Sequence, residues 1–177
     1  MTATTVAGSV SALQAALAAE DAAIFGYGVA GAHLTGSSLA VAEKDWTWHR
    51  QARDTLAVMI SRLGVTPAAA RAFYQLPFPV HDAASAMALA AYLEDGVTRA
   101  YLGLVAVSDQ RLRRFGALAM QGAARRAVYW RGSTQAFPGL GIFFVTWCTR
   151  FAGQNCRKQV TIVSSSSDES PGIQIKL

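Results

Sequence analysis

Cysteine and proline are scarce in this sequence, with two and five copies in 177 residues, and each scarcity excludes something. Both cysteines, Cys148 and Cys156, stand late in the chain. Their spacing fits neither a zinc motif nor a disulfide framework, so the pair reads as reduced and structurally idle. Charge is also sparse, at 15% of residues with a net +5. The longest basic cluster before the tail, "RLRR" at 111–114, adjoins an expected helix start and reads as a solvated face. Nucleic acid is therefore not the expected partner. Binding through Arg111, Arg113, Arg114, Arg125 and Arg126 would instead show a steep dependence on salt. No apolar run reaches the roughly 18 to 20 residues of a membrane span, and "GLGIFFVTW" comes nearest. The opening "MTATTVAGSVSALQAAL" lacks the basic region of a secretory signal. These absences lead to the expectation of a soluble, cytoplasmic protein with no membrane partner.

Alanine, by contrast, is abundant over the first 140 residues, and it favours helix because it loses no side-chain entropy there. Four segments carry apolar residues at alternating steps of three and four. The first comprises Leu13, Leu17, Glu20, Ile24, Tyr27, Gly31 and Leu34, with Ser9 or Ser11 as its cap. Gly26, Gly28 and Gly31 within it suit close approach of a neighbouring helix, and "TGSS" at 35–38 reads as a turn. The second comprises Leu39, Ala42, Trp46, His49, Arg53, Leu56, Ile60 and Leu63, closed by Gly64 and Pro67. Val65 to His81 is too long for a turn between adjacent helices. It is expected to hold one short helical turn at Thr66-Pro67 and then an extended crossover. Asp82 caps the third helix, whose stripe is Met87, Ala90, Glu94, Val97, Tyr101 and Leu104. Asp109 caps the fourth, with Phe115, Leu118, Gly122, Arg125 and Tyr129 aligned and Gly132 at its end.

The expected fold is all-α: an antiparallel four-helix bundle over residues 9–140, with one long crossover between helices 2 and 3. Two helical hairpins joined in that way have the connectivity of ferritin-like bundles. Residues 141–177 hold a single alanine and many serines and β-branched residues. "KQVTIV" suits a strand but has no evident partner, so this tail is expected to be mostly irregular, with Phe143, Phe144 and Trp147 packed on the bundle.

Three ionisable residues, Glu20, His49 and Glu94, fall on stripes that point inward. An unpaired charge in such a seam costs several kcal/mol, so each needs a partner. One answer is a metal. Di-iron bundles take a Glu from each of two helices and a Glu-x-x-His from each of the others. Here Trp46 stands three residues before His49, and the fourth helix has neither Glu nor His. The other answer is a buried charge cluster of Glu20, Glu94 and His49 with Arg53, Arg125 or Arg126, since a guanidinium bridges carboxylates through its planar fork. The cluster is the favoured reading, with no cofactor; iron or manganese on Glu20, His49 and Glu94 is the alternative. Tyr27, Tyr101 and Tyr129 read as packing residues, and Trp46, Trp48 and Trp130 as a dimer face. "GVAGAH" follows no strand and is not a phosphate loop.

The segments "LQAALAAEDAAIFGYGVAGAHL", "HRQARD", "LPFPVHDAASAMALAAYLEDGVTRAYLGLV" and "ARRAVYWRG…TQAFPGL" together resemble the uncharacterised alanine-rich ferritin-like domain proteins of high-GC Gram-positive bacteria. The resemblance spans about residues 10–140. It implies a ferritin-like bundle, dimeric, of unknown biochemical role, and it carries no catalytic residue over. Where that family commonly has Glu-His, this chain has Glu20-Asp21, one potential ligand fewer. The expectation is a non-catalytic, homodimeric structural or binding module with a degenerate metal site. A metal-binding ferritin-like oxidoreductase or metal-storage protein with an atypical site is its rival.

Overall fold

The computed structural model describes residues 3–135 and the backbone of 142–149 and 157–164, with side chains over 6–135. The chain divides into two units, Met1–Gly139 and Leu140–Leu177.

The first unit holds four helices: α1 (Ala3–Gly31), α2 (Gly36–Arg62), α3 (Ala83–Val105) and α4 (Gln110–Arg131). Helix α1 begins before both expected caps, and Ser9 is buried within it. Local chemistry sets the other ends. Gly64, at φ +74°, closes α2 in a Schellman arrangement, with Gly64 N–H on Ser61 O and Val65 N–H on Ile60 O. Asp82 and Ser85 exchange side-chain and backbone hydrogen bonds in a capping box that opens α3. Asp109 accepts from the N–H groups of Arg111 and Leu112 to open α4, and Gly132, at φ +73°, ends it.

Helix α1 packs on α2 and on α3, and α3 packs on α4. Cross-helix contacts give the directions. Ile24 accepts from Trp46 and Glu20 meets His49, so α1 and α2 are antiparallel. Tyr27 meets Glu94 and Tyr101 meets Glu20, so α1 and α3 are antiparallel as well. Helices α2 and α3 therefore run the same way, and the chain between them must travel back along the bundle. It does so first along α1 and then against α3. Gln14 bonds Thr66 and Ala68, and further on Phe25 lies against Tyr74 and Phe78 against Tyr92. The helical turn expected at Thr66-Pro67 does not form; that stretch has no regular secondary structure, and its backbone is held by the Gln14 amide.

Leu13, Leu17, Leu56, Ile60, Leu89, Val97 and Leu104 form the apolar interior. The α4 stripe is displaced by one residue from its expected phase. Gly116, Ala119, Ala123, Ala127 and Trp130 face inward, whereas Leu118, Arg125 and Tyr129 are exposed. Trp130 is thus a core residue and no part of a surface face. Close helix approach depends on Gly26 and Gly116; Gly28 has open space around it. A Cβ on Gly116 would stand 2.7 Å from the Leu104 Cβ and 3.2 Å from the Tyr101 carbonyl oxygen, neither of which can swing away. Gly116→Ala is expected to cost about 1–3 kcal/mol through overpacking between α3 and α4. Urea unfolding would measure it, and an unchanged midpoint would contradict that close contact.

In the second unit, β1 (Ile142–Thr149) pairs antiparallel with β2 (Arg157–Ser164), in register from Ile142 opposite Ser164 to Thr149 opposite Arg157. This corrects the expectation that "KQVTIV" lacks a strand partner. "KQVTIV" has a partner after all, the aromatic and β-branched run "IFFVTWCT", whose composition suits a pleated strand. The side chains of Phe143, Phe144 and Trp147, and the segment 165–177, lie outside the described residues.

Candidate functional site

Glu20 and Glu94 each precede a tyrosine by seven residues, Tyr27 on α1 and Tyr101 on α3. Seven residues are about two helical turns, so each pair shares a face. Because α1 and α3 run antiparallel, each tyrosine meets the other helix's glutamate. Tyr101 donates to Glu20 Oε1 at 2.7 Å, and Tyr27 donates to Glu94 Oε1 at 2.7 Å. His49 of α2 lies between them, with Nδ1 2.6 Å from Glu20 Oε2 and Nε2 3.0 Å from Glu94 Oε1. From α4, Arg126 Nε donates to Glu94 Oε1 at 2.8 Å, and its guanidinium lies 3.8 Å from the ring centre of Trp48. Glu20, His49 and Glu94 are each 0% exposed.

The network extends one step further toward the surface. Trp130 Nε1 donates to Asp45 Oδ2 at 3.1 Å, and the Tyr27 hydroxyl lies 3.5 Å from the same oxygen. Within this network, Glu94 Oε2 and Arg126 Nη2 are buried without a partner among the described residues, as is Asp95 Oδ1 beside it.

Electrostatics follow from this geometry. Burial pulls the His49 pKa down, but the hydrogen bonds and charges of Glu20 and Glu94 outweigh it and push it up to about 9. His49 is thus an imidazolium at neutral pH, donating from both ring nitrogens. Burial acts to raise the Glu94 pKa, yet His49 and Arg126 hold it below the usual carboxylate range. Burial, reinforced by the charge of Glu94, pushes the Tyr27 hydroxyl far above its ordinary value, and burial with Glu20 does the same to Tyr101. Asp45 is raised by burial and by Glu94, against the pull of Arg126 and Trp130. The interior therefore stores protons on His49, Tyr27 and Tyr101 and shields them from solvent.

Of the three arginines expected at the cluster, only Arg126 reaches it. Arg53 turns to its neighbour, with Nε 2.9 Å from Asp54 Oδ1, and Arg125 is exposed. The proposed basic surface is divided in the same way, since Arg113 bonds the carbonyls of Val107 and Ser108 at the end of α3. Asp45 and Trp130 were not anticipated as polar partners, and the tyrosines serve as donors in addition to packing. A signal for the tyrosines lies in the sequence. "EDAAIFGY" at 20–27 and "EDGVTRAY" at 94–101 repeat the same Glu-Asp-x5-Tyr spacing.

Above Asp45 and Arg126 the bundle is open. Helices α2 and α4 face one another across a cleft of about 280 Å³, lined by Lys44, Asp45 and Trp48 from α2 and by Gly122, Arg125, Arg126 and Tyr129 from α4.

Residues 12–141 match the family described as "Domain of unknown function (DUF4439)". Among solved structures, a conserved hypothetical protein, rv2844, from Mycobacterium tuberculosis is 34% identical to this chain. The similarity covers 71% of this chain and 96% of that one, with a TM-score of 0.69. No curated protein matches.

Proposed function

The chain belongs to the DUF4439 family of unknown function, and from that starting point we propose that it is a non-catalytic, ferritin-like binding module whose interior carboxylates are neutralised by protein cations. The observation that carries this reading is His49, with one ring nitrogen on Glu20 and the other on Glu94. A metal-bound imidazole offers a lone pair from one ring nitrogen, whereas both nitrogens of this ring lie within hydrogen-bond distance of a carboxylate. Arg126 adds a second fixed positive charge against Glu94 Oε1, where an incoming cation would meet repulsion. The residues present therefore fit ion pairing better than a coordination sphere. The ferritin-like comparison is supported by the parallel α2 and α3 and the long crossover along α1.

The same reading has the module act as a cytoplasmic homodimer. Phe73 at 72% exposure and Tyr92 at 55% supply apolar surface that a second copy would cover. No helix among the described residues is long and apolar enough to cross a membrane.

The test is elemental analysis of protein purified without chelator, with light scattering on the same sample. The expected result is iron and manganese far below one ion per chain and a dimer mass. Near-stoichiometric metal would overturn the charge-cluster reading, and a monomer at micromolar concentration would remove the dimer.

A further inference from the structure

The cleft between α2 and α4 combines features that the interior network does not use. Its lining carries three cations, Lys44 on one wall and Arg125 and Arg126 on the other, against one carboxylate, Asp45. That carboxylate is already engaged, since its Oδ2 accepts from Trp130 and lies beside the Tyr27 hydroxyl. Counting Asp45 and the buried Glu94 that Arg126 pairs with, the three cations still outnumber the carboxylates around the cleft, and low-dielectric walls focus the resulting positive field. Arg126 gives Nε to Glu94, while its buried Nη2 has no acceptor among the described residues. Tyr129 supplies a flat, half-exposed wall, and Trp48 supplies a second aromatic ring, one face of which carries the Arg126 guanidinium. Gly122 keeps the wall of α4 low, because it places no side chain into the space. A volume of about 280 Å³ lies just below the usual range for small-molecule sites and suits only a small ligand.

We propose that this cleft binds a small aromatic oxyanion, a single ring bearing a carboxylate or phosphate, with the anion between Lys44 and the two arginines and the ring along Trp48 and Tyr129. Guanidinium and ammonium groups recognise both anions, and the aromatic walls select a flat partner. The inference rests on the binding-module reading and gives that module its ligand class. Lys44 and Arg125 are exposed and bond nothing in the core, so they act on the ligand and not on the fold.

The experiment is an NMR titration of the intact chain with benzoate, phenyl phosphate, inorganic phosphate and benzyl alcohol, on protein whose metal content has been measured. At least one aromatic anion is expected to saturate with Kd of about 1 mM or tighter, shifting amides of residues 41–48 and 122–129. Preference for benzoate or for phenyl phosphate identifies which oxyanion the site takes. The double variant Lys44→Ala/Arg125→Ala is expected to weaken binding by about tenfold or more. Gly122→Leu, which fills the cleft without changing charge, is expected to abolish it, with circular dichroism confirming retained helix. Absence of saturation by both aromatic anions overturns the proposal. Equal binding of inorganic phosphate or of benzyl alcohol, or undiminished binding by the folded variants, does the same. Metal-free protein that binds neither anion counts against this inference alone. Metal-loaded protein that binds them counts against the charge-cluster reading alone.

Discussion

Glu94→Ala is expected to destabilise the bundle by about 3–5 kcal/mol, the cost of breaking a buried ion pair by removing one side of it. Glu94 Oε1 is the meeting point of the network, accepting from Tyr27, His49 and Arg126. Truncation leaves an imidazolium nitrogen, a guanidinium and a hydroxyl without their acceptor in a site closed to water. Glu94→Gln separates the contributions. Its amide oxygen takes the place of Oε1, and its NH2 group falls where Oε2 has no partner among the described residues. The glutamine variant should therefore keep the hydrogen bonds, lose only the charge, and be clearly the less damaging of the two. Urea unfolding of both variants reads the ordering. A Glu94→Ala protein within about 1 kcal/mol of wild type would mean that these contacts carry little of the stability.

Alkaline pH is expected to produce the second large effect. The His49 pKa stands at about 9 in the folded chain, above its ordinary 6.5. Between those values the folded state holds a proton that the unfolded state has released, so stability falls as pH rises. His49 contributes fully below pH 6.5 and nothing above about 9, a loss of roughly 3 kcal/mol across the window at 1.36 kcal/mol per unit. A further fall begins near pH 10, where unfolded tyrosines ionise while Tyr27 and Tyr101, both raised, still retain their protons. Unfolding midpoints from pH 6 to 11 would trace both steps. His49→Gln should flatten the first and spare the second. A wild-type profile that is level from pH 6.5 to 9 would show that His49 is not held as a cation between the two glutamates.

Charge in the interior also explains why the cluster needs its donors from four helices. Glu20 and Tyr27 come from α1, His49 from α2, Glu94 and Tyr101 from α3, and Arg126 from α4. The apolar interior alone tolerates sliding of one helix past another by a turn. Paired glutamates and tyrosines, seven residues apart on both α1 and α3, meet in one axial offset only. The network thus fixes register as well as neutralising charge, the best-attested use of buried polar groups.

Four helix ends were legible in the sequence because each depends on local chemistry; the starts of α1 at Ala3 and of α2 at Gly36, inside the expected turn at 35–38, were not. Gly64, Asp82, Asp109 and Gly132 mark ends through backbone geometry and capping bonds that involve only near neighbours. The inward placement of Glu20, His49 and Glu94 was legible as well, because strong stripes of Leu, Val and Tyr fix the rotation of α1 and α3. Helix α4 lacked that contrast. Its inner face is mostly glycine and alanine, and its exposed face carries Leu118 and Tyr129, so apolar content pointed to the wrong side. A single-residue error there rotates a side chain by about 100°, which is the difference between Arg125 in solvent and Arg126 on Glu94. Tertiary structure alone decided that choice, along with the reciprocal tyrosine bonds and the cleft. Each depends on the offset and rotation of two helices relative to one another, and no periodicity within one helix encodes that.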